Sequence, residues 1–335
     1  MTIKHFIFAF VFASLTTSAV LSAESSADVI RAVDSVRPHL VRIDTIGGHE
    51  RVEGTLANEG TTTGLLYDNK GRIITSAFNF LHEPSAILIR FPDGTRKVAR
   101  KVATDRNRML TLLQVDITND EAVKIVPTRP LTSLQIGESV IALGCSFSET
   151  EPNVAVGVLS GTGRIWGKAI QTDAAVSPSN YGGPLVDTQG KVIGILAPLS
   201  MTAGGVTAGH EFYDAGIGMA IPMDDVANIV LPKLQAGKDV ESGEVGIVFP
   251  DNAIFVGEPL ITDIMPDSPA AKSGLKKGDR ITKLNDKPIT TALSVVIAIK
   301  QSYVGDTIQV TYSRDGKEQT TTVTTAAPSE IKRPD

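Results

Sequence analysis

The sequence has one cysteine, Cys145, in 335 residues. A lone thiol excludes any intrachain disulfide, so stability rests on packed cores. Aromatic residues are scarce at 5%, with a single tryptophan. Basic residues form no stripe, and the formal net charge is −5. That balance argues against a nucleic-acid partner. After the first residues, no apolar run approaches the ~20 residues a membrane-spanning helix needs. The five histidines show no metal-ligand spacing, and no carboxylate cluster suits a calcium loop. The Gly-rich "TAGGVTAGHEFYDAG" lacks a following Gly-Lys-Ser and is no phosphate cradle. No metal or other cofactor is expected.

Gly, Val, Ile and Thr are plentiful, which favours short strands joined by turns. The first residues read as a secretory signal. Lys4 is followed by the apolar "FIFAFVFASL" and the small residues of "AVLSA", with cleavage expected after Ala23. An uncleaved anchor is the rival reading. Either way the protein is expected to be exported, to a periplasmic or other extracytoplasmic space. A short amphipathic helix follows from Ser26, with Val29, Ile30, Val33 and Val36 at helical spacing and Pro38 ending it.

Three hairpins are predicted next. They turn at Asn69-Lys70-Gly71, at Pro92-Asp93-Gly94, and within "PLVDTQGKVIGILAP". With "LTLLQVD", "SVIALGC", "NVAVGVLSG", "KAIQTDA" and "GIGMAIP" between and after them, the pattern predicts paired β-barrels or a sandwich. The helical "PMDDVANIVLPKLQAGKDV" then leads, through a linker at 237–243, into a compact α+β unit at 244–327. The polar tail at 328–335 is expected to be mobile.

Several stretches, in order, resemble trypsin-like serine proteases of the HtrA (DegP) type. "TTGLLYDNKGRIITSAFNF" is similar to the strand pair bearing their catalytic histidine, and "ATDRNRMLTLLQV" to the segment bearing the aspartate. "IQTDAAVSPSNYGGPLVDTQGKVIGI" is similar to their serine loop. "EVGI", "SPAAKSGLKKGDRITKLNDKPI" and "VGDTIQVTYSRDGK" resemble a PDZ domain. The resemblance implies a mainly all-β fold: a trypsin-like double β-barrel over 24–236, after the signal at 1–23, and then one PDZ domain. It also puts Phe78 at the histidine position, Met109 at the aspartate position and Tyr181 at the serine position. Ser179 replaces the glycine whose backbone shapes the oxyanion pocket.

Those replacements deny the usual chemistry. Phe78 has no lone pair to take a proton, and Met109 carries no charge to orient a base. Tyr181 keeps a hydroxyl, but its ordinary pKa is near 10 and its reach exceeds that of serine. The chain therefore reads as a pseudoprotease. The three side chains either pack the cleft shut or leave an apolar pocket for a ligand. The enzyme alternative is a working endopeptidase with a substitute set such as Cys145 and His82. Cys145 otherwise reads as buried and idle, and His82 and His210 as solvated loop histidines.

The PDZ resemblance implies capture of peptide C-termini or unfolded chains by strand addition. Val245, Gly246 and Ile247 would form the carboxylate loop and first pocket, with Val295 and Ile299, at i and i+4, as the opposite wall. Family analogy adds a homotrimer, or assembly with an active relative.

Overall fold

The computed structural model describes residues 15–47, 51–52, 55–56, 60–80, 83–117, 125–201, 209, 212, 215–250, 255 and 257–332. It begins with a helix, α1 (Leu15–Val36). This helix starts eleven residues before the predicted Ser26 and runs through the expected cleavage point, because nothing in "LTTSAVLSAES" is a Gly or Pro that would break it. Pro38 ends it as predicted, in a single 3-10 turn at Arg37–His39. Among the described residues no helix is long and apolar enough to cross a membrane.

Two six-stranded closed barrels follow. The first comprises β1 (Leu40–Ile46), β2 (Gly60–Leu66), β3 (Arg72–Ser76), β4 (Ala86–Arg90), β5 (Arg96–Asp105) and β6 (Leu110–Gln114). The second comprises β7 (Ser139–Gly144), β8 (Asn153–Gly163), β9 (Ala169–Thr172), β10 (Pro184–Asp187), β11 (Val192–Leu196) and β12 (Gly218–Pro222). In each barrel the first three strands run in sequence and the last three return in reverse, giving the order 1-2-3-6-5-4 around the barrel. All pairings are antiparallel. The three predicted hairpin turns are present, with Gly71, Gly94 and Gly190 at φ of +76, +84 and +76°. Inward-facing Val, Ile and Leu fill each barrel. A third cluster, including Ala77, Met109, Leu110, Leu143 and Cys145, joins them at the seam.

The C-terminal unit has a short pair, β13 (Ile247–Val248) and β14 (Asp263–Ile264), and a four-stranded sheet. That sheet holds β15 (Arg280–Leu284), β16 (Lys287–Pro288), β17 (Thr307–Arg314) and β18 (Lys317–Thr324), in the order 16-15-17-18. One long helix, α2 (Ala292–Gln301), packs on it, and Thr291 caps it by accepting the Ser294 N–H at 3.2 Å. The 237–243 segment is fastened rather than free. Val240 N–H donates to Thr104 O (2.9 Å), and Val240 O accepts from Arg106 N–H (2.8 Å), so it lies as an extra rung on the end of β5.

A buried polar cluster locks the C-terminal unit to the first barrel. Tyr303, just past α2, donates its hydroxyl to Asp105 Oδ2 (2.5 Å) and accepts from Arg108 Nη1 (2.6 Å). The N–H groups of Asn107 and Arg108 donate to Asp105 Oδ1 at 2.8 and 2.9 Å. Arg108 Nε reaches Asp225 at 3.2 Å, and Lys168 Nζ reaches Asn107 Oδ1 at 3.0 Å. Burial raises the Asp105 carboxyl above its ordinary range, against the pull of Tyr303 and Arg108. Burial and the nearby Arg108 and Lys300 charges push Lys168 down to about 8.

His39 is buried beside the start of β1, and burial lowers its pKa below the ordinary 6.5 against a bond to the Leu66 backbone. Its Nδ1 has no partner among the described residues. The folded chain therefore holds a neutral imidazole that the unfolded chain would protonate. This stability is fully present above pH 6.5 and is lost as pH falls through the lower folded value. Denaturant melts at pH 7.5 and 5.5 are expected to show an acid loss that His39→Gln diminishes. An equal loss in the variant would assign the acid sensitivity elsewhere.

Candidate functional site

The seam between the barrels gathers the three positions singled out from sequence. Phe78 lies on a 3-10 turn (Ala77–Phe80) at the end of β3, and Met109 immediately precedes β6. Because β3 and β6 pair with Ser76 opposite Leu110, these two segments emerge together. The Ala77 N–H donates to Met109 O at 2.8 Å. Met109 is buried at a φ of +54°, an uncommon conformation for a non-glycine residue, and its thioether lies in the seam core. Tyr181 arrives from the second barrel, at the end of a 3-10 turn (Pro178–Asn180) before β10. Its ring meets Phe78 edge-on, with centroids 5.7 Å apart and planes at 64°. That is a favourable aromatic geometry.

Tyr181 is 5% exposed and its hydroxyl lies beside Gly209. The space left between Tyr181, Pro198, Phe212 and Met219 is about 10 Å³. That holds one water at most. Among the described residues little space is left beside the Tyr181 ring, which favours the packed reading over the open apolar pocket.

The backbone around Tyr181 is equally committed. The N–H groups of Asn180, Tyr181, Gly182 and Gly183 donate to Ser177 O, Pro178 O, Leu196 O and Asn180 O, at 2.8–3.3 Å. An oxyanion pocket needs such donors aimed at the reacting oxygen. Here four successive donors are bound within the chain. Ser179 O accepts from Thr63 Oγ1 (3.1 Å) and Ser146 Oγ (2.7 Å), pinning the turn across both barrels. A Cβ on Gly182 would come within 2.1 Å of Thr63 O, and one on Gly183 within 2.0 Å of Leu143 O. Only glycine fits at either position.

Cys145 is buried, and burial pushes its thiol up to about 12, so it stays protonated at neutral pH. His82 and His210 lie outside the described residues. Asp105, the nearest buried carboxylate in sequence to Met109, is spent on Tyr303 and Arg108. Among the described residues no His, Cys, Asp or Glu cluster could hold a metal.

The C-terminal unit presents a groove of about 180 Å³ between β13 and α2. β13 pairs with β14 alone, Ile247 opposite Ile264, and its other edge faces the groove. Val245, Gly246 and Ile247 line the groove end, and the N–H groups of Val245 and Gly246 have no partner among the described residues. Gly246 has a φ of +79°, and a Cβ there would meet Ser268 Cβ at 2.4 Å. On the helix side Ile299 lines the groove, and Val295 lies behind it at a narrow space of about 10 Å³ shared with Val245, Ile247 and Ile299. Val295 is 0% exposed and turned into the core, and Val296 takes the wall with Ile299 and Lys300. One residue along a helix is a rotation of about 100°, and the apolar run of α2 left the facing stripe ambiguous. Phe249 and Met265, also lining the groove, were not singled out from sequence, nor was the Asp105–Arg108–Tyr303 cluster.

Comparison with known proteins agrees with this architecture. Residues 62–195 match the trypsin-like peptidase domain family and residues 236–325 the PDZ domain family. The serine protease Do-like HtrA of Lactococcus lactis (strain IL1403) is 32% identical over 298 residues, covering 80% of this chain and 70% of the relative. The periplasmic serine endoprotease DegP of Escherichia coli K12 is 29% identical, covering 76% of this chain and 55% of the relative. The chain thus spans little more than half of several curated relatives. The crystal structure of the serine endoprotease from Yersinia pestis superposes with a TM-score of 0.64 at 28% identity, covering 89% of this chain and 97% of that one. The chain belongs to the HtrA family of trypsin-like peptidases and carries one PDZ domain.

Proposed function

We propose that this chain is an exported HtrA-family pseudoprotease that binds peptide C-termini or unfolded chains through its PDZ groove and does not hydrolyse them by a triad. The observation that carries the first part is the Phe78–Tyr181 contact, between the two residues that the family resemblance aligns with base and nucleophile. The bound backbone donors of Asn180 to Gly183 support it. The groove, its open strand edge and the unpartnered N–H groups of Val245 and Gly246 support the second part. Export rests on the "FIFAFVFASL" leader and on relatives named as periplasmic. Assembly as a homotrimer or with an active relative is part of the same proposal, by family analogy. So are the unit limits at 24–236, 237–243, 244–327 and 328–335.

The deciding assay is hydrolysis of unfolded casein by purified protein. Turnover is expected at background, unchanged in Cys145→Ala. Turnover that Cys145→Ala abolishes would replace the binding role with a non-standard endopeptidase. For the groove, peptides ending in a free carboxylate after an apolar residue are expected to bind by fluorescence anisotropy. C-terminal amidation or Gly246→Val is expected to weaken binding at least tenfold, since Val adds both left-handed strain and the Ser268 clash. Indifference to both changes would place binding outside the groove.

A further inference from the structure

The second barrel closes between β8 and β9, but that junction is short. β9 pairs with β8 only at Leu159 and Gly161. The earlier half of β8 has a ladder on one side only, with β7, in unbroken register from Asn153 opposite Gly144 to Val158 opposite Ser139. In an antiparallel ladder, successive residues turn their N–H and C=O groups alternately toward the partner and away. Val158 turns away from β7: its O accepts from Asp173 N–H (3.4 Å) and its N–H donates to Asp173 Oδ1 (2.6 Å). Leu159 turns toward the β7 side, donating to Glu138 O at 2.9 Å. Val156 and Val154 therefore turn away, as Val158 does. Their two N–H and two C=O groups have no partner among the described residues.

Natural sheet edges are blunted by lysine, proline, a bulge or a covering segment. The run Val154-Ala155-Val156-Gly157 has no charge, no proline and no break in register. Val154 and Val156 are 43% and 54% exposed. The connection from β7 is fastened elsewhere, with Arg37 on its Thr150 carbonyl (2.5 Å) and Arg90 on Glu149 (3.5 Å). Two arguments choose the occupant. Main-chain donors and acceptors in line along a strand are satisfied by another extended backbone. Two free residues are too few to hold a second copy, because the edge alone supplies far less than the about 1,200–2,000 Å² that a stable protein–protein interface buries.

We infer that the free half of β8 is a second polypeptide site, which takes an internal, extended segment with apolar residues at alternate positions by strand addition. The segment's backbone pairs with Val154 and Val156, and its apolar side chains lie beside theirs on one face. The site needs neither a free C-terminus nor the PDZ groove. The probe is the peptide Lys-Thr-Val-Thr-Val-Thr-Val-Lys, labelled with fluorescein at its N-terminus and amidated, so that the PDZ groove has no carboxylate to hold. It is titrated into the full chain by fluorescence anisotropy. Saturable binding of one peptide per chain is expected, and hydrogen exchange in the 153–158 segment is expected to slow by two amides in the complex. N-methylation of the peptide's valines is expected to weaken binding at least tenfold. So is Val156→Pro, which removes an outward N–H and no ladder bond. Val296→Glu in the PDZ groove is expected to change binding less than twofold. Four results overturn the assignment. They are no saturable uptake, equal uptake of the N-methylated peptide, uptake lost in Val296→Glu, or protection of 153–158 that rises with chain concentration without peptide, which would give the edge to a second copy.

Discussion

Arg108→Ala is expected to destabilise the protein by about 3–5 kcal/mol, the usual cost of removing one partner from a buried charged pair. Arg108 is 1% exposed, the largest fully buried side chain among the described residues. Truncation removes the positive charge that steadies Asp105, takes a donor from the Tyr303 hydroxyl, and releases Asp225. A fall in melting temperature on the order of 10 °C follows. Tyr303→Phe is the milder test, because the Arg108 charge and its bond to Asp225 remain and Asp105 keeps its two backbone donors. A loss of about 1–3 kcal/mol is expected there, that of one unsatisfied buried polar group. The two variants should also loosen the C-terminal unit, read as faster tryptic cleavage after Lys238 in the connecting segment. An Arg108→Ala melt within a degree or two of the unmodified protein would show the cluster to be ornamental.

Tyr181→Ser is expected to remove stability and restore no chemistry. The phenol ring leaves little space beside it among the described residues and meets Phe78, and deleting a ring of that size from a packed site costs about 3–5 kcal/mol. The new hydroxyl would face a phenyl group, with no base among the described residues to take its proton. Adding Phe78→His supplies an imidazole without an orienting carboxylate, a defect worth about 10⁴ in rate. Adding Met109→Asp places a carboxylate at a buried residue with a φ of +54°. Even that triple variant faces the donors of Asn180 to Gly183 bound to internal carbonyls. Casein hydrolysis is expected at background for the single variant, and at or near it for the triple one. Robust hydrolysis by Tyr181→Ser alone would mean that a hidden base reaches the cleft.

Much of the architecture could be read from the residues alone, because hairpin turns are local. Asn69-Lys70-Gly71 and Pro92-Asp93-Gly94 announce their own geometry. The convergence of Phe78, Met109 and Tyr181 was legible through chain order, since each closes or opens a strand of a known pattern. The edge-on contact and the little space left beside Tyr181 were not, as they depend on side-chain rotamers. The Asp105–Arg108–Tyr303 cluster was hidden for another reason. Tyr303 lies nearly two hundred residues from Asp105 and Arg108, and each in isolation reads as a surface polar group. Val296 was hidden by periodicity: the run "ALSVVIAIK" is apolar on several faces, so spacing alone could not show that Val296 lines the groove while Val295 sits behind it.

The two glycines after Tyr181 carry a lesson about signatures. Their side-chain positions are taken up by the carbonyls of Thr63 in the first barrel and Leu143 in the second, so packing across the seam and within the second barrel demands them whether or not a reaction occurs nearby. A Gly-Gly-Pro string in such a chain therefore certifies how the two halves are joined. It is silent on turnover, and the residue just ahead of it is the one to read.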